Sequence, residues 1–201
     1  MPRYIKPAVF LLCLVPLAML VWDAFNDSLG ANPVETITHR TGDWTLRFLL
    51  VTLAVTPLRQ LFGWKKLIHL RRLFGLFAFF YVCLHFLTYL VFDHFFDVSE
   101  IAKDIVKRPY ITVGFTAFVI LVPLAVTSTS QMMKRLGKNW KRLHQWVYVA
   151  AVCGILHYLW LVKADILQPM IYAVILLLLF VIRAWYQRRP AAPAAMQYQK
   201  Q

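Results

Sequence analysis

The sequence predicts an all-α integral membrane protein, a six-helix transmembrane bundle with both termini in the cytoplasm. Apolar and aromatic residues make up 60% of the 201 residues and charged residues 15%, whereas soluble domains are about 45–50% apolar. The mean hydropathy is +0.59. Six apolar stretches are each about 20 residues long, which is the length that crosses a bilayer. Basic residues recur in alternate connections between these stretches.

The six predicted spans follow one another with short connections. They cover residues 8–25, 44–61, 73–92, 110–127, 143–161 and 168–186. The first could instead be a secretory signal, but its apolar run is long enough to span, and the bulky Trp22 and Phe25 follow it. We therefore predict one transmembrane domain over residues 1–189 and a cytoplasmic tail over residues 190–201. No connection is long enough to form a second domain.

Charge sets the orientation of the spans, because loops rich in Lys and Arg stay in the cytoplasm. The basic positions assigned to the inside are Arg3, Lys6, Arg59, Lys65, Lys66, Arg71, Arg72, Lys134, Arg135, Lys138, Lys141, Arg142, Arg183, Arg188, Arg189 and Lys200. The acidic residues all fall at the opposite ends or in the opposite loops, at Asp23, Asp27, Glu35, Asp43, Asp93, Asp97, Glu100, Asp104 and Asp165. The two patterns agree on one orientation.

The net charge of +13 does not indicate a nucleic-acid partner, because the basic residues lie between apolar runs and not on one soluble face. Anionic membrane lipid is the simpler partner for them. The three cysteines, Cys13, Cys83 and Cys153, lie inside apolar stretches without a CxxC or CxxCH motif. A disulfide framework and covalently attached haem are both disfavoured.

Three histidines lie within the predicted spans, where an ionisable side chain usually marks a function. His85 and His157 belong to spans that run in the same direction, and the helical rise places both a few ångströms beyond the midplane on the outer side. Two imidazoles at matching depth could supply both axial ligands of a haem iron. The remaining histidines, His39, His69 and His94, are predicted to be solvated in loops.

His144 lies nearer the cytoplasm and is the candidate for a second, weaker haem site. Ideal helical spacing puts it about 140° away from His157, so the two do not share a face. A partner thirteen residues before His85 would be Arg72, which does not ligate iron. Arg71 and Arg72 are instead candidates for contacts with haem propionates or a flavin phosphate.

His85, His144 and His157 could also have roles other than haem ligation. Interhelical hydrogen bonding is the simplest alternative. Three imidazoles at such different depths do not converge on one zinc or copper ion, and a proton path would usually carry carboxylates inside the spans. No long-period repeat is evident, although Leu84-His85-Phe86-Leu87 and Leu156-His157-Tyr158-Leu159 are alike.

Several motifs resemble a known family in residues 30 to 160. They are Gly30-Ala31-Asn32-Pro33-Val34, Thr41-Gly42, Arg71-Arg72-Leu73-Phe74-Gly75-Leu76, Leu84-His85, Arg108-Pro109-Tyr110-Ile111-Thr112-Val113-Gly114, Thr127-Ser128-Thr129, Leu136-Gly137-Lys138, Trp140, Leu143-His144, Val147-Tyr148 and Ile155-Leu156-His157-Tyr158-Leu159-Trp160. The chain resembles the MsrQ (YedZ) family, haem-binding membrane subunits of the bacterial periplasmic methionine sulfoxide reductase system. This family lies within the ferric-reductase-like transmembrane group.

The resemblance implies cofactors, partners and a location. The cofactors are haem b, with iron ligands among His85, His144 and His157, and FMN. The implied partner is MsrP, a periplasmic molybdopterin enzyme that reduces methionine sulfoxide in oxidised proteins. The implied electron donor is the respiratory quinone pool or a flavin reductase, and the implied location is the bacterial inner membrane.

We therefore expect an electron-transfer subunit that passes electrons outward to MsrP. We do not expect it to oxidise NAD(P)H alone, because it has no GxGxxG motif and no room for a dinucleotide-binding domain, and a redox subunit describes it better than a complete enzyme. The outer acidic residues Asp93, Asp97, Glu100 and Asp104 could dock the partner, or could simply keep a loop soluble. The alternatives are a small transporter, which usually has broken helices lined with polar groups, and a membrane scaffold without a cofactor.

Overall fold

The protein is a bundle of helices joined by short loops. A computed structural model describes residues 4–162 and 166–188, and no β-strand occurs among them. The α-helices in this part of the chain are α1 (Ile5–Phe25), α2 (Pro33–Phe62), α3 (Arg71–Thr88), α4 (Val98–Lys107), α5 (Pro109–Val126), α6 (Ser130–Leu136), α7 (Lys138–His144), α8 (Val147–Leu161) and α9 (Leu167–Arg188). A 3₁₀ helix at Lys65–His69 precedes α3, and a π-helical turn at Tyr89–Asp93 follows it. The predicted all-α class is confirmed.

Five of these helices are long and apolar enough to cross a membrane: α1, α2, α3 with its π-helical turn, α5 and α9. The fifth predicted span, 143–161, is not one continuous helix, because α7 ends at His144 and α8 begins at Val147. The 15 residues of α8 measure about 22 Å, less than the roughly 30 Å of a hydrocarbon core. The six-span count and the cytoplasmic termini therefore stay predictions. The predicted tail 190–201 and Arg3, Asp165, Arg189 and Lys200 lie outside the described residues.

Helix α2 begins earlier than the hydropathy predicted, at Pro33 and not near residue 44. The Asn32 side chain caps its first turn by accepting from the Glu35 N–H, and Pro33 takes the first helical position, where no N–H is needed. Gly63 ends the helix in the left-handed conformation at φ +68°. The resulting 30 residues extend about 45 Å, so one end of α2 projects beyond the bilayer core.

Helix α1 is attached to the bundle through a tyrosine of α3. The Tyr81 side chain is 1% exposed, and its hydroxyl donates to the Cys13 carbonyl and accepts from the Leu17 N–H. Pro16 lies between these two positions, where a proline ring disturbs the helical hydrogen bonds. Tyr81 therefore satisfies backbone groups of α1 that would otherwise face an apolar environment.

The core lies between α2, α3, α5 and α8, whose inward faces hold most of the buried apolar residues. Ala78 on α3 and Ala150 on α8 are completely buried. Small side chains at these positions let neighbouring helices approach closely, as is usual in membrane bundles. This packing brings the histidine-bearing parts of α3 and α8 to the same region of the bundle.

Candidate cofactor site

A cavity of about 580 Å³ opens between α2, α3, α5 and α8. Its volume lies within the roughly 300–1,000 Å³ of small-molecule and cofactor sites. The walls are largely apolar, with Leu49 and Leu121 in the bundle, and Asp104 and Arg108 belong to the predicted outer end. His85 and His157 both line it. The cavity is therefore large enough for a cofactor, and these two imidazoles are of a type that ligates metals.

The two histidine rings face each other across the cavity. Their centroids are 6.1 Å apart and their planes are inclined by 75°. A metal–imidazole bond is about 2 Å long, so an ion held between two rings would separate their centroids by about 6 Å once the ring radii are added. The structure thus brings together the two rings predicted to lie at similar depth, and their role as paired ligands of one iron stays a prediction.

Each ring is oriented by a backbone carbonyl of the neighbouring helix. His85 Nδ1 is 2.9 Å from the Thr38 carbonyl of α2, and His157 Nδ1 is 2.7 Å from the Tyr110 carbonyl of α5. A carbonyl only accepts, so each Nδ1 carries the proton and each Nε2 keeps its lone pair. A hydrogen bond from the other ring nitrogen is the usual support of a metal-ligating histidine.

A glycine lies under each ring. A Cβ added at Gly42 would come within 3.2 Å of the His85 ring, and one added at Gly114 would come within 2.7 Å of His157 Nδ1. Both glycines are inside helices, where alanine would normally be preferred. A side chain at Gly114 would displace the His157 ring from its carbonyl, and one at Gly42 would crowd the His85 ring.

The same arrangement occurs twice in the chain. Each histidine is 47 residues after the carbonyl that it contacts, and each glycine is one helical turn after that carbonyl. The two sets, Thr38, Gly42 and His85, then Tyr110, Gly114 and His157, are offset by 72 residues at every member. The short similarity around the two histidines is therefore part of a structural repeat that builds both halves of the cavity wall.

His144 is not part of this site. It ends α7, and ten residues of α8 separate its helical break from His157, about 15 Å along the axis. Its ring stacks on Trp140 with centroids 3.9 Å apart. Its Nδ1 lies 3.1 Å from the Trp140 carbonyl, and its Nε2 lies 3.4 Å from the Ser128 hydroxyl. The structure thus separates His144 from the pair that faces the cavity.

The two candidate arginines begin α3, at the end opposite His85. Arg71 is half-buried and interacts electrostatically with Tyr148 and His144. Arg72 is exposed. Neither lines the cavity, so contacts between these arginines and a group bound there are not supported.

Two further histidines, not predicted as site residues, belong to the cavity wall. His39 and His94, predicted to be solvated in loops, both line it. His39 lies in the early part of α2, which was predicted to be a loop. His94 Nε2 lies 3.2 Å from Asp104 Oδ2, and the side chain of Asp104 is only 12% exposed.

Asp104 also accepts from the Tyr89 hydroxyl at 3.1 Å and pairs with Arg108 Nε at 2.8 Å. This carboxylate joins the π-helical turn, α4 and the start of α5 at the outer end of the cavity. The bonds of Asp104 are therefore made within the protein. Of the four outer acidic residues considered for docking, only Asp93, Asp97 and Glu100 are exposed.

Comparison with known proteins places this arrangement in a family. The model of the family described as "Ferric reductase like transmembrane component" matches residues 41–155, which include both glycines and end just before His157. No solved structure matches the chain significantly.

Curated relatives carry the name protein-methionine-sulfoxide reductase heme-binding subunit MsrQ. The protein of Herminiimonas arsenicoxydans is 57% identical over 190 residues, covering 92% of this chain and 87% of the relative. That of Azospira oryzae is 54% identical over 177 residues, covering 87% and 76%. That of Rhodospirillum rubrum is 55% identical over 177 residues, covering 88% and 85%. The chain therefore belongs to the ferric-reductase-like transmembrane family and, within it, to the MsrQ group of multi-pass membrane proteins.

Proposed function

We propose that this chain is a membrane electron-transfer subunit that binds haem b between His85 and His157. The relatives are named as haem-binding subunits, and the facing imidazoles with their 6.1 Å separation are the observation that carries the proposal. Bound haem would supply a one-electron carrier whose potential depends on its axial ligands and surroundings.

The residues of the chain have three tasks in this function. His85 and His157 present Nε2 to the cavity. Thr38 and Tyr110 hold the Nδ1 protons through their carbonyls, which fixes the tautomer and raises the basicity of the ligating nitrogens. The apolar walls, including Phe86 and Phe118, exclude water and so influence the potential of the bound group.

The electron path that we propose runs outward through the bacterial inner membrane. Electrons enter from the quinone pool or a flavin reductase and leave to MsrP, the periplasmic molybdopterin reductase that repairs oxidised methionines. The relatives' names support a methionine sulfoxide reductase system, and the position of the cavity at the predicted outer end of the bundle suits delivery to that side. FMN, the quinone donor and MsrP rest on the family resemblance.

Substitution of the histidines tests the haem site. We expect His85→Ala and His157→Ala each to remove most haem from the purified protein, because each supplies one of two ligands. His144→Ala should keep it, since this ring lies elsewhere. His69→Ala is the matched control, because His69 is exposed on the 3₁₀ helix. Haem extracted per chain is the measurement, and an unchanged content in the His85 and His157 variants would refute the assignment.

Reconstitution tests the electron path separately. The holoprotein in liposomes, supplied with a quinol and purified MsrP, should reduce a methionine sulfoxide substrate, and each component should be required. A haem-loaded protein that never passes electrons to MsrP would refute the partner but leave the haem site standing. Extraction of flavin from the same preparation decides whether FMN is bound.

A further inference from the structure

Helix α4 closes the outer end of the cavity, and its residues fall into three sectors. Asp104 and Ile105 line the cavity. Val98 and Val106 are 76% and 82% exposed. Glu100 belongs to a charged sector. At 100° per residue, the centres of the cavity-facing, apolar and charged sectors are about 110–135° apart.

The charged sector is suited to water. Glu100 and Lys103 form an ion pair at 2.8 Å, and both side chains are 57% exposed. The hydrogen bond from Lys103 to Glu100 raises the pKa of the lysine, which therefore keeps its charge at neutral pH. Lys107 is exposed in the same sector.

The apolar sector continues into the turn before α4. Phe95 and Phe96 are 82% and 60% exposed and adopt left-handed conformations at φ +47° and +63°. Such conformations are unfavourable for bulky residues and persist where the surroundings support them. Two aromatic rings held in this way would gain free energy from an apolar environment and not from water.

The elements on both sides of α4 indicate what surrounds its apolar sector. Four residues separate the preceding candidate span, Arg71–Asp93, from α4, and one residue separates α4 from the following candidate span, Pro109–Val126. Both neighbours are long and apolar enough to cross the membrane, and a short helix that joins two such spans belongs at the level of the bilayer surface. A helix with protein on one side, charges on another and apolar residues on a third fits the boundary between protein, lipid and water.

We propose that α4 and the Phe95–Phe96 turn form an interfacial anchor, in which Phe95, Phe96, Val98 and Val106 insert among the lipids of the outer leaflet. We assign this surface to lipid because α4 lies between two candidate spans. Its apolar sector, Val98 and Val106, is also narrow and directly borders the charged sector of Glu100 and Lys103. The anchor holds Asp104 and Ile105 at the end of the cavity. This inference does not depend on whether haem is bound.

Spin labels on α4 test the proposal in protein reconstituted into phosphatidylcholine and phosphatidylglycerol vesicles. Cys13, Cys83 and Cys153 are first replaced by alanine, and a nitroxide is attached at Val106→Cys or, as the matched control, at Lys103→Cys. We expect the label at 106 to collide strongly with oxygen, which concentrates in lipid, and weakly with a water-soluble nickel chelate. The label at 103 should show the reverse.

Two results would overturn the proposal. A label at 106 that collides freely with the nickel chelate lies in water, and one that is shielded from both reagents is covered by protein, a second copy included. If the cysteine-free protein does not fold, the unsubstituted chain provides the test. A membrane-soluble carbene reagent should label the peptide Phe95–Val106, and absence of the label there would refute insertion.

Discussion

At the scale of single residues, two glycines determine where the side chains of His85 and His157 can lie. Gly42 and Gly114 leave room for a ring between neighbouring helices, and the carbonyls one turn earlier fix the ring orientation. Glycine inside a helix costs about 0.5–1 kcal/mol relative to alanine. The chain therefore gives up some helix stability at two positions that orient His85 and His157.

We predict that Gly114→Ala lowers the haem content several-fold, because its Cβ would lie 2.7 Å from His157 Nδ1 and would displace the ring. Gly42→Ala should have a smaller effect, since the closest approach there is 3.2 Å. Gly75→Ala is the control: it also lies in a helix, but its Cβ would make only a 3.6 Å contact with Thr52. Haem per folded chain is the measurement.

The control also separates positioning from stability. Alanine raises helix propensity at all three positions, so Gly75→Ala should fold at least as well as the original chain. Equal haem loss in all three variants would show that the glycines serve general packing and not the orientation of the histidines.

At the scale of helices, two hydrogen bonds between the Tyr81 hydroxyl and the backbone of α1 join the first span to the bundle. Removal of the hydroxyl in Tyr81→Phe leaves the Cys13 carbonyl and the Leu17 N–H without this partner. These two groups are also the i and i+4 partners of one turn of α1 and can bond to each other, so we expect a loss of about 0.5–1.5 kcal/mol in the free energy of unfolding, the net contribution of a hydrogen bond. Unfolding of the detergent-solubilised protein measures it, with Tyr4→Phe, at an 80% exposed position, as the control. Equal stability of the two variants would contradict this role.

The sequence allowed some of these elements to be predicted and not others, for physical reasons. Long apolar runs locate the spans, and the helical rise converts the positions of His85 and His157 into similar depths, so their pairing could be predicted. The early start of α2 at Pro33 was missed because hydropathy does not detect a polar helical turn beyond the membrane, although Asn32 and Pro33 are a usual start signal.

The remaining differences depend on tertiary contacts. The roles of Gly42 and Gly114 follow from which helix packs on which, and a single glycine in an apolar run does not show this. Helix α4 is short and mixed in polarity, so the outer connection was predicted as a loop, and the cavity position of His94 was missed with it. The cavity position of His39 was missed because the start of α2 was predicted as a loop. The break before α8 separates His144 from the span to which it had been assigned.

At the scale of the whole molecule, the charge distribution predicts the direction of every span. The predicted topology depends most on helix α8, because this helix is shorter than a usual span. If α8 crosses the membrane, Ile166 lies outside and Arg188 inside. We predict that a membrane-impermeant thiol reagent labels Ile166→Cys in intact spheroplasts and labels Arg188→Cys only after lysis. Labelling of Arg188→Cys in intact spheroplasts, with Ile166→Cys labelled only after lysis, would show that α8 does not cross, because α9 would then run outward.

The repeat offset by 72 residues is the other feature of the whole molecule, since it makes the two halves of the bundle contribute equivalent histidines to one cavity. The near-perpendicular rings, inclined by 75°, allow a direct test by low-temperature electron paramagnetic resonance of the oxidised, haem-loaded protein. Two imidazoles in such planes on one ferric haem give a highly anisotropic low-spin signal. We predict that signal in the original chain and its loss in His85→Ala and His157→Ala. A high-spin signal in the original chain, or a low-spin signal that survives both substitutions, would contradict the shared site.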